Sequence, residues 1–316
     1  MQVHYNLEGL PRFRNAVVTI GTFDGVHTGH QQILAALRQE AASTGGETVV
    51  ITFDPHPRTI VQTDASLELL TTLPEKAGLL EAHGIDHLVV VPFTPDFAAQ
   101  DAEQYISDFL VRRFQPHTLI IGYDHRFGKG RAGGYELLEQ LQHQYGYRLI
   151  EIPRQVLHSI AISSTKIRTA LKQSDVATAN ELLGYPFFFE GLVIPGDKLG
   201  RTIGYPTANL QYTSSDKIRL GEGVFAARAI HEGRTLGGML SIGKRPTLND
   251  VVERVEINLF DFQEEIYDQV IRVEVLSYLR GQEKYSSLDA LKEQLHRDKE
   301  DSLRILSSWK EHKMGV

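Results

Sequence analysis

Apolar and polar positions along this chain fall into two regimes. In the first half, short β-branched runs alternate with segments of helical period. Ala16-Val17-Val18-Thr19-Ile20 reads as a buried strand, after which Ile33, Leu34, Leu37 and Ala41 recur at helix spacing. A second run within Glu47–Phe53 stops at Asp54-Pro55-His56-Pro57, where two prolines forbid a central strand. Pro74–His83 and Ala102–Phe114 pattern as helices, and His87–Pro92, Thr118–Gly122 and Leu149–Ile152 as strands. This rhythm predicts a mostly parallel sheet with helices on both faces. Ser163–Arg168 looks like a capped helix start, and a short helix over Asp175–Leu183 ends at Gly184 with Pro186 beyond. A domain boundary is expected there, giving domains 1–185 and 186–316.

The second half loses the helical interludes. Phe187–Pro195, Val224–Ile230, Leu236–Ile242, Val251–Phe262 and Gln269–Tyr278 are strand-like, separated by turn residues. Such a series predicts an antiparallel barrel or sandwich. Ser287–Lys313 reads as one or two amphipathic helices, with Leu288, Leu291, Leu295, Leu303 and Leu306 roughly on one side.

Composition narrows the class. Of 316 residues 41% are hydrophobic and 23% charged, which suits a globular protein with real cores, and the length allows two domains. A formal net charge of -7 argues against nucleic acid as a partner. The chain has no cysteine, which removes thiol catalysis, disulfides and thiolate metal sites. Met1–Asn6 lacks a signal-peptide pattern, and no apolar run approaches the roughly 20 residues that span a bilayer. No membrane partner and a cytoplasmic location are expected; nothing in the sequence fixes an oligomeric state.

The sharpest local chemistry is Gly21-Thr22-Phe23-Asp24-Gly25-Val26-His27-Thr28-Gly29-His30. Strand, glycine turn and helix start together aim backbone N–H groups at a phosphate, and two imidazoles add donors for charge building on phosphorus. The turn suits nucleotidyl transfer, in which an ionised phosphate attacks an α-phosphate and needs no general base. Gly21, Phe23, Asp24 and Gly29 are candidate ATP-binding residues, and His27 and His30 candidate catalytic groups. Gly122-Tyr123-Asp124-His125-Arg126-Phe127-Gly128-Lys129-Gly130 also follows a strand and should line the same crevice. It is not a Walker loop, because five residues separate Gly122 from Gly128 and Gly130 follows Lys129. By itself Ser163–Arg168 reads as a helix cap with solvated charges. Gly196–Asn209 reads either as a loop over phosphates, with Thr207 and Asn209 as neutral magnesium ligands on one face, or as a surface loop before a strand. Glu256 alternates with Val255 and Ile257, and by itself reads as solvent-facing.

Gly21–His30, Phe53–Pro57, Gly122–Gly128 and Ser163–Arg168, in that order, resemble the adenylyltransferase module of the bacterial bifunctional riboflavin kinase/FAD synthetase family. The resemblance implies a Rossmann-like α/β nucleotidyltransferase domain in which FMN and ATP give FAD and pyrophosphate. His27, His30, Ser164, Thr165 and Arg168 would hold ATP phosphates, with Asp124 and Arg126 near the flavin substrate. His125 stands where the family usually has Phe.

Downstream, Gly200-Arg201…Gly204-x-Pro206-Thr207-Ala208-Asn209, Gly223-Val224-Phe225-Ala226, Ile242-Gly243-x-Arg245-Pro246-Thr247 and Glu256-x-Asn258-x-Phe260-Asp261-Phe262 are similar to the family's riboflavin kinase domain. This implies a six-stranded barrel with a C-terminal helix, transferring the ATP γ-phosphate to riboflavin. Gly200 and Arg201 would contact ATP, Thr207 and Asn209 would hold Mg²⁺, and Glu256 would be the base. Substrates would be ATP, riboflavin and FMN, with FAD the final product. Asn258, Ser241, Asp268 and the Gly281-Gln282-Glu283 stretch depart from the usual residues of the flavin loops.

Overall fold

The computed structural model describes residues 1–61, 67–153, 163–196, 199–246 and 251–313. They divide into two compact units, Met1–Ser164 and Thr165–Val316.

In the first unit β1 (Gln2–His4), β2 (Val17–Ile20), β3 (Thr48–Asp54), β4 (His87–Pro92), β5 (Thr118–Gly122) and β6 (Arg148–Ile152) form one sheet. Its order is β1-β4-β3-β2-β5-β6, and every neighbouring pair is parallel. Successive residues of a strand point to opposite faces, and here both faces are covered. Val17, Val50 and Leu88 pack with Leu34 and Leu37 of α1 (Thr28–Thr44) and Leu80 of α2 (Leu73–Ala82). Val18, Val49 and Val89 pack with Tyr105, Phe109 and Leu138 on the other side. Two buried faces explain why these strands read as unbroken apolar runs.

The chain leaves β2 toward β3 and β4, and later returns on the far side of β2 as β5, with Val17 opposite Thr118. The strand order therefore reverses between β2 and β5, and ligands of such sheets bind beyond the carboxyl ends at that point. The stretches after Ile20 and after Ile121 both start there.

Three details differ from the pattern. β1 is three residues long and pairs Gln2 with His87, too short to leave a periodic signal. Helix α3 (Tyr135–Tyr145) has Leu138 as its buried residue, so its sequence looks polar. The Ala102–Phe114 helix is π-helical over Tyr105–Val111, and the wider turn keeps Tyr105, Phe109 and Phe114 in the core.

Helix α4 (Ser164–Lys172) starts on the last residue of the first unit and runs into the second, followed by α5 (Val176–Leu183). Gly184, at φ 76°, caps α5 as its position predicts. Both helices are tied to the second unit: the Asn180 amide donates to Val275 O at 2.9 Å, and Gly221 N donates to Leu171 O at 2.9 Å.

β7 (Phe187–Ile194), β8 (Ala208–Tyr212), β9 (Gly223–His231), β10 (Arg234–Pro246), β11 (Val251–Leu259) and β12 (Val270–Arg280) close a barrel in the order β10-β11-β8-β7-β12-β9, antiparallel throughout. Barrel, not sandwich, is the outcome. One helix, α6 (Leu288–Lys313), follows it. Gly237 lets α6 approach, since a Cβ there would sit 2.7 Å from Leu306. The inward face of α6 differs from the leucine stripe: Leu288 and Leu303 are exposed, while Asp298 and Ser302 are buried. Asp298 is inside because Arg280 of β12 reaches it with Nη2 at 2.7 Å and Nε at 2.9 Å.

Candidate active sites

The turn after β2 is tightly constrained. Phe23 (φ 46°), Gly25 (φ 84°) and Val26 (φ 36°) all adopt left-handed backbone, a strain of about 1 kcal/mol or more for each non-glycine residue. Phe23 and Val26 are buried, so the core holds them there. Gly25 N donates to Thr71 Oγ1 at 3.0 Å, and Thr71 N donates to the buried Asp24 carboxylate at 3.0 Å. Thr52 Oγ1 donates to Thr22 O at 3.1 Å, and Ser164 Oγ to Asp24 O at 3.2 Å. Asp24 therefore braces the turn from below.

His27 is the N-cap of α1 and its Nδ1 accepts from His30 N at 3.4 Å. That bond leaves the His27 proton on Nε2, where it is a donor. The two imidazoles stack, ring centres 3.7 Å apart. Burial, then His27, then Lys76 push the His30 pKa well below the ordinary imidazole value, so the ring is neutral at pH 7. Its Nδ1 is buried without a hydrogen-bond partner among the described residues. Gly29 is buried in the first turn of α1. A 17-residue helix thus begins at the switch point, with one imidazole as its cap and another in its first turn.

The stretch after β5 brings Asp124 and Arg126, both exposed, to the neighbouring strand end. Arg126 lies over Gly134, where a Cβ would sit 2.3 Å from its Nη1. His125 is pushed down to about 4, chiefly by burial, with Arg126 and Arg131 adding to the effect and Asp124 opposing it. Thr165 and Arg168 lie on α4 with the second unit.

In the barrel, Asn209 of β8 pairs with Glu256 of β11. Thr207 stands two residues before Asn209 on the same face, and its hydroxyl donates to Glu256 Oε2 at 3.3 Å. Glu256 is neither core nor fully exposed, with its side chain 27% accessible and Arg254 at 3.5 Å. Asn209 packs on Gly196, where a Cβ would fall 1.9 Å from its amide nitrogen. The loop before β8 closes on itself: Tyr205 N donates to Gly200 O at 2.9 Å, and a Cβ on Gly200 would meet Tyr205 O at 2.2 Å. A cavity of about 420 Å³ is lined by Pro206, Thr207, Ile257, Leu259, Phe262 and Tyr267, and of Thr207, Asn209 and Glu256 it is Thr207 that reaches it. Arg201 and Glu265 line it too and pair at 3.7 Å. Asp197 and Lys198 of the Gly196–Asn209 loop and Thr247 of the family motifs lie outside the described residues.

Residues 11–166 match the family model described as FAD synthetase, and residues 183–306 that described as riboflavin kinase. The bifunctional riboflavin kinase/FMN adenylyltransferase of Escherichia coli K12 is 37% identical over 93% of either chain, and that of Bacillus subtilis 36% identical over 93% of either chain. The chain belongs to the bifunctional riboflavin kinase/FMN adenylyltransferase family. A solved structure titled macrolide-efflux protein, from Streptococcus pneumoniae, superposes with a TM-score of 0.86 at 28% identity, covering 95% of this chain and 98% of that one. Among the described residues no helix is long and apolar enough to cross a membrane.

The departures from the family pattern have local reasons. Asn258, buried, donates to Pro206 O at 2.6 Å and so anchors the segment that carries Thr207. Ser241 and Gln282 compensate each other, the Gln282 amide donating to Ser241 Oγ at 3.0 Å and to Ile242 O at 2.9 Å. Asp268, at φ 61°, takes a left-handed position that favours the family's usual Gly and that Asp tolerates. One site residue escaped the sequence reading. Lys76 of α2 is buried, with Nζ donating to Thr52 Oγ1 at 3.2 Å. Its signal is a lysine on the apolar face of a helix, three residues after Leu73 and four before Leu80.

Proposed function

We propose two active sites on this chain, one in each of the functional divisions 1–185 and 186–316. The protein phosphorylates riboflavin to FMN and adenylylates FMN to FAD, consuming ATP in each step. The observation that carries the two-site reading is the convergence of Thr207, Asn209 and Glu256 on one face of the barrel wall, for which adenylylation alone has no use.

In the kinase site Glu256 accepts the proton of the ribityl hydroxyl as that oxygen bonds to the γ-phosphorus and ADP departs. The nucleophile is a neutral alcohol, so a base is required. Gly200 and Arg201 bound the phosphates, and the apolar walls of the cavity take an ATP or flavin ring. Two neutral oxygens beside one carboxylate, with the Asn209 amide seated against Gly196, make a donor set that fits Mg²⁺ arriving on ATP. Thr207 and Asn209 would hold the ion, which supplies charge neutralisation at the phosphates.

In the adenylyl site the FMN phosphate attacks the α-phosphorus of ATP, the α–β anhydride breaks, and pyrophosphate leaves. The nucleophile is already ionised, so no base is needed. His27, through its Nε2 proton, His30 and the first N–H groups of α1 meet charge on the phosphate oxygens. Gly21, Phe23, Asp24 and Gly29 shape this cradle. Ser164 binds the leaving phosphates, a reading supported by its hydrogen bond to Asp24 O, and Thr165 and Arg168 are assigned the same role on the family resemblance alone. Asp124 and Arg126 contact the flavin substrate. A cytoplasmic setting follows from the demand for ATP, and a net charge of -7 disfavours nucleic acid.

The test is a time course with riboflavin, ATP and Mg²⁺ in which the flavins are separated. FMN should appear first and FAD after it; FAD formation from supplied FMN without any FMN formation from riboflavin would overturn the two-site reading.

A further inference from the structure

A buried ammonium under the phosphate turn is an expensive choice, because an apolar residue at the same place is often neutral or more stabilising. Lys76 is 6% exposed, on the face of α2 that packs beneath the turn. Its Nζ donates to Thr52 Oγ1, and Thr52 Oγ1 in turn donates to Thr22 O, inside the turn. The same helix is capped by Thr72 next to Thr71, which accepts from Gly25 N. Around the ammonium stand Asp24 of the turn and Asp54 at the end of β3, both favouring its charge, and His30 of α1, which feels its repulsion. His27 faces His30 from the other side, and Glu75, the neighbour of Lys76, is committed to the Thr72 N–H. The Thr52 contact of Lys76 thus leads to the turn that would hold ATP, and Asp24 and His30 of that turn lie around its charge.

We propose that Lys76 is a positioning residue for adenylyl transfer, fixing the phosphate turn through Thr52 and Thr22 and placing a positive charge beside His30. This rests on the adenylyl reading of the turn. Two imidazoles stacked 3.7 Å apart cannot both become cationic without separating. Burial and the stacked His27 hold His30 uncharged and the ammonium adds to their effect, while the ladder from Nζ to Thr22 O keeps the backbone aimed at the phosphates.

The experiment compares Lys76→Met, Lys76→Arg and Thr52→Val in the full chain. FAD formation from FMN and ATP is followed against pH, with FMN formation from riboflavin as the control in the other unit. Lys76→Met should lower kcat for FAD formation tenfold or more with KM for ATP within threefold, and move the acid limb of the pH profile upward. Lys76→Arg should return the acid limb to its wild-type place, because the charge is kept. Thr52→Val should lower kcat and leave the limb unmoved. A purely structural lysine would lower thermal stability in Lys76→Met and leave the limb in place, and that result overturns the proposal. So does a wild-type rate in Lys76→Met. If Lys76→Met lost FMN formation as well, a wild-type FAD rate in Thr52→Val would overturn it, and a reduced rate with an unmoved limb would support it. A wild-type chain that makes FMN and no FAD defeats the underlying adenylyl reading instead.

Discussion

The imidazoles of His27 and His30 lie face to face, 14° from parallel. In the folded chain His30 resists protonation, while in the unfolded chain it takes a proton near pH 6.5. Stability is therefore whole above that value and falls as pH drops toward the lower folded value. His125, at about 4 when folded, adds to the same loss between pH 6.5 and 4. Each unit of separation is worth about 1.4 kcal/mol before allowing for the solvent reach of half-buried rings. His30→Gln and His125→Phe should each flatten the decline between pH 7.5 and 5, His125→Phe by about 1 kcal/mol, read by denaturant unfolding at fixed pH.

Glu256 and His30 should separate the two activities. Glu256→Gln removes the base and should cut FMN formation by about 100-fold or more, with FAD formation from supplied FMN within twofold. His30→Ala should reverse the pattern. Retained FMN formation in Glu256→Gln would remove this carboxylate from the base role.

Gly196 offers a test of the Asn209 seat. A methyl group there displaces the amide, since the Cβ would fall 1.9 Å from Nδ2. Gly196→Ala should raise the kinase KM for Mg-ATP by about tenfold, of the order expected for losing one charge-assisted contact. Steady-state kinetics against ATP at saturating magnesium would show it, and an unchanged KM would separate Asn209 from ATP binding.

The Arg280–Asp298 pair holds α6 against the barrel with both side chains largely shielded, at 16% and 3% exposure. Asp298→Ala leaves a buried guanidinium unpaired and should cost the second unit about 3 kcal/mol or more. Arg280→Met with Asp298→Leu should recover most of that loss in denaturant unfolding.

How much of this was visible beforehand depends on whether a signal is local. The sheet was legible because both its faces are buried, which turns β2, β3 and β4 into continuous apolar runs. The phosphate turn was legible because strand, glycine, histidine and helix start fall within ten consecutive residues. Lys76 was not, because its partner Thr52 sits 24 residues earlier in sequence. The same holds for Ser241 and Gln282, 41 residues apart, which look like two independent departures until the amide is seen to bridge them. Leu303 misled for a related reason. A hydrophobic stripe cannot reveal that Asp298 occupies the inward face, since its partners Arg280, from the barrel, and Gln294 make that burial tolerable.

Closure of the barrel has a consequence for how the protein behaves when concentrated. Among the described residues each of its six strands has a hydrogen-bonded neighbour on both sides, which leaves no terminal strand for a passing chain to extend. The parallel sheet does have two margins. One is β1, only three residues long, and the other is β6, which carries exposed Arg148 and Glu151. Short length at one margin and charge at the other are the devices that discourage strand-by-strand growth into aggregates. A chain rich in β-branched runs thus keeps most of its strand edges out of reach of its own copies.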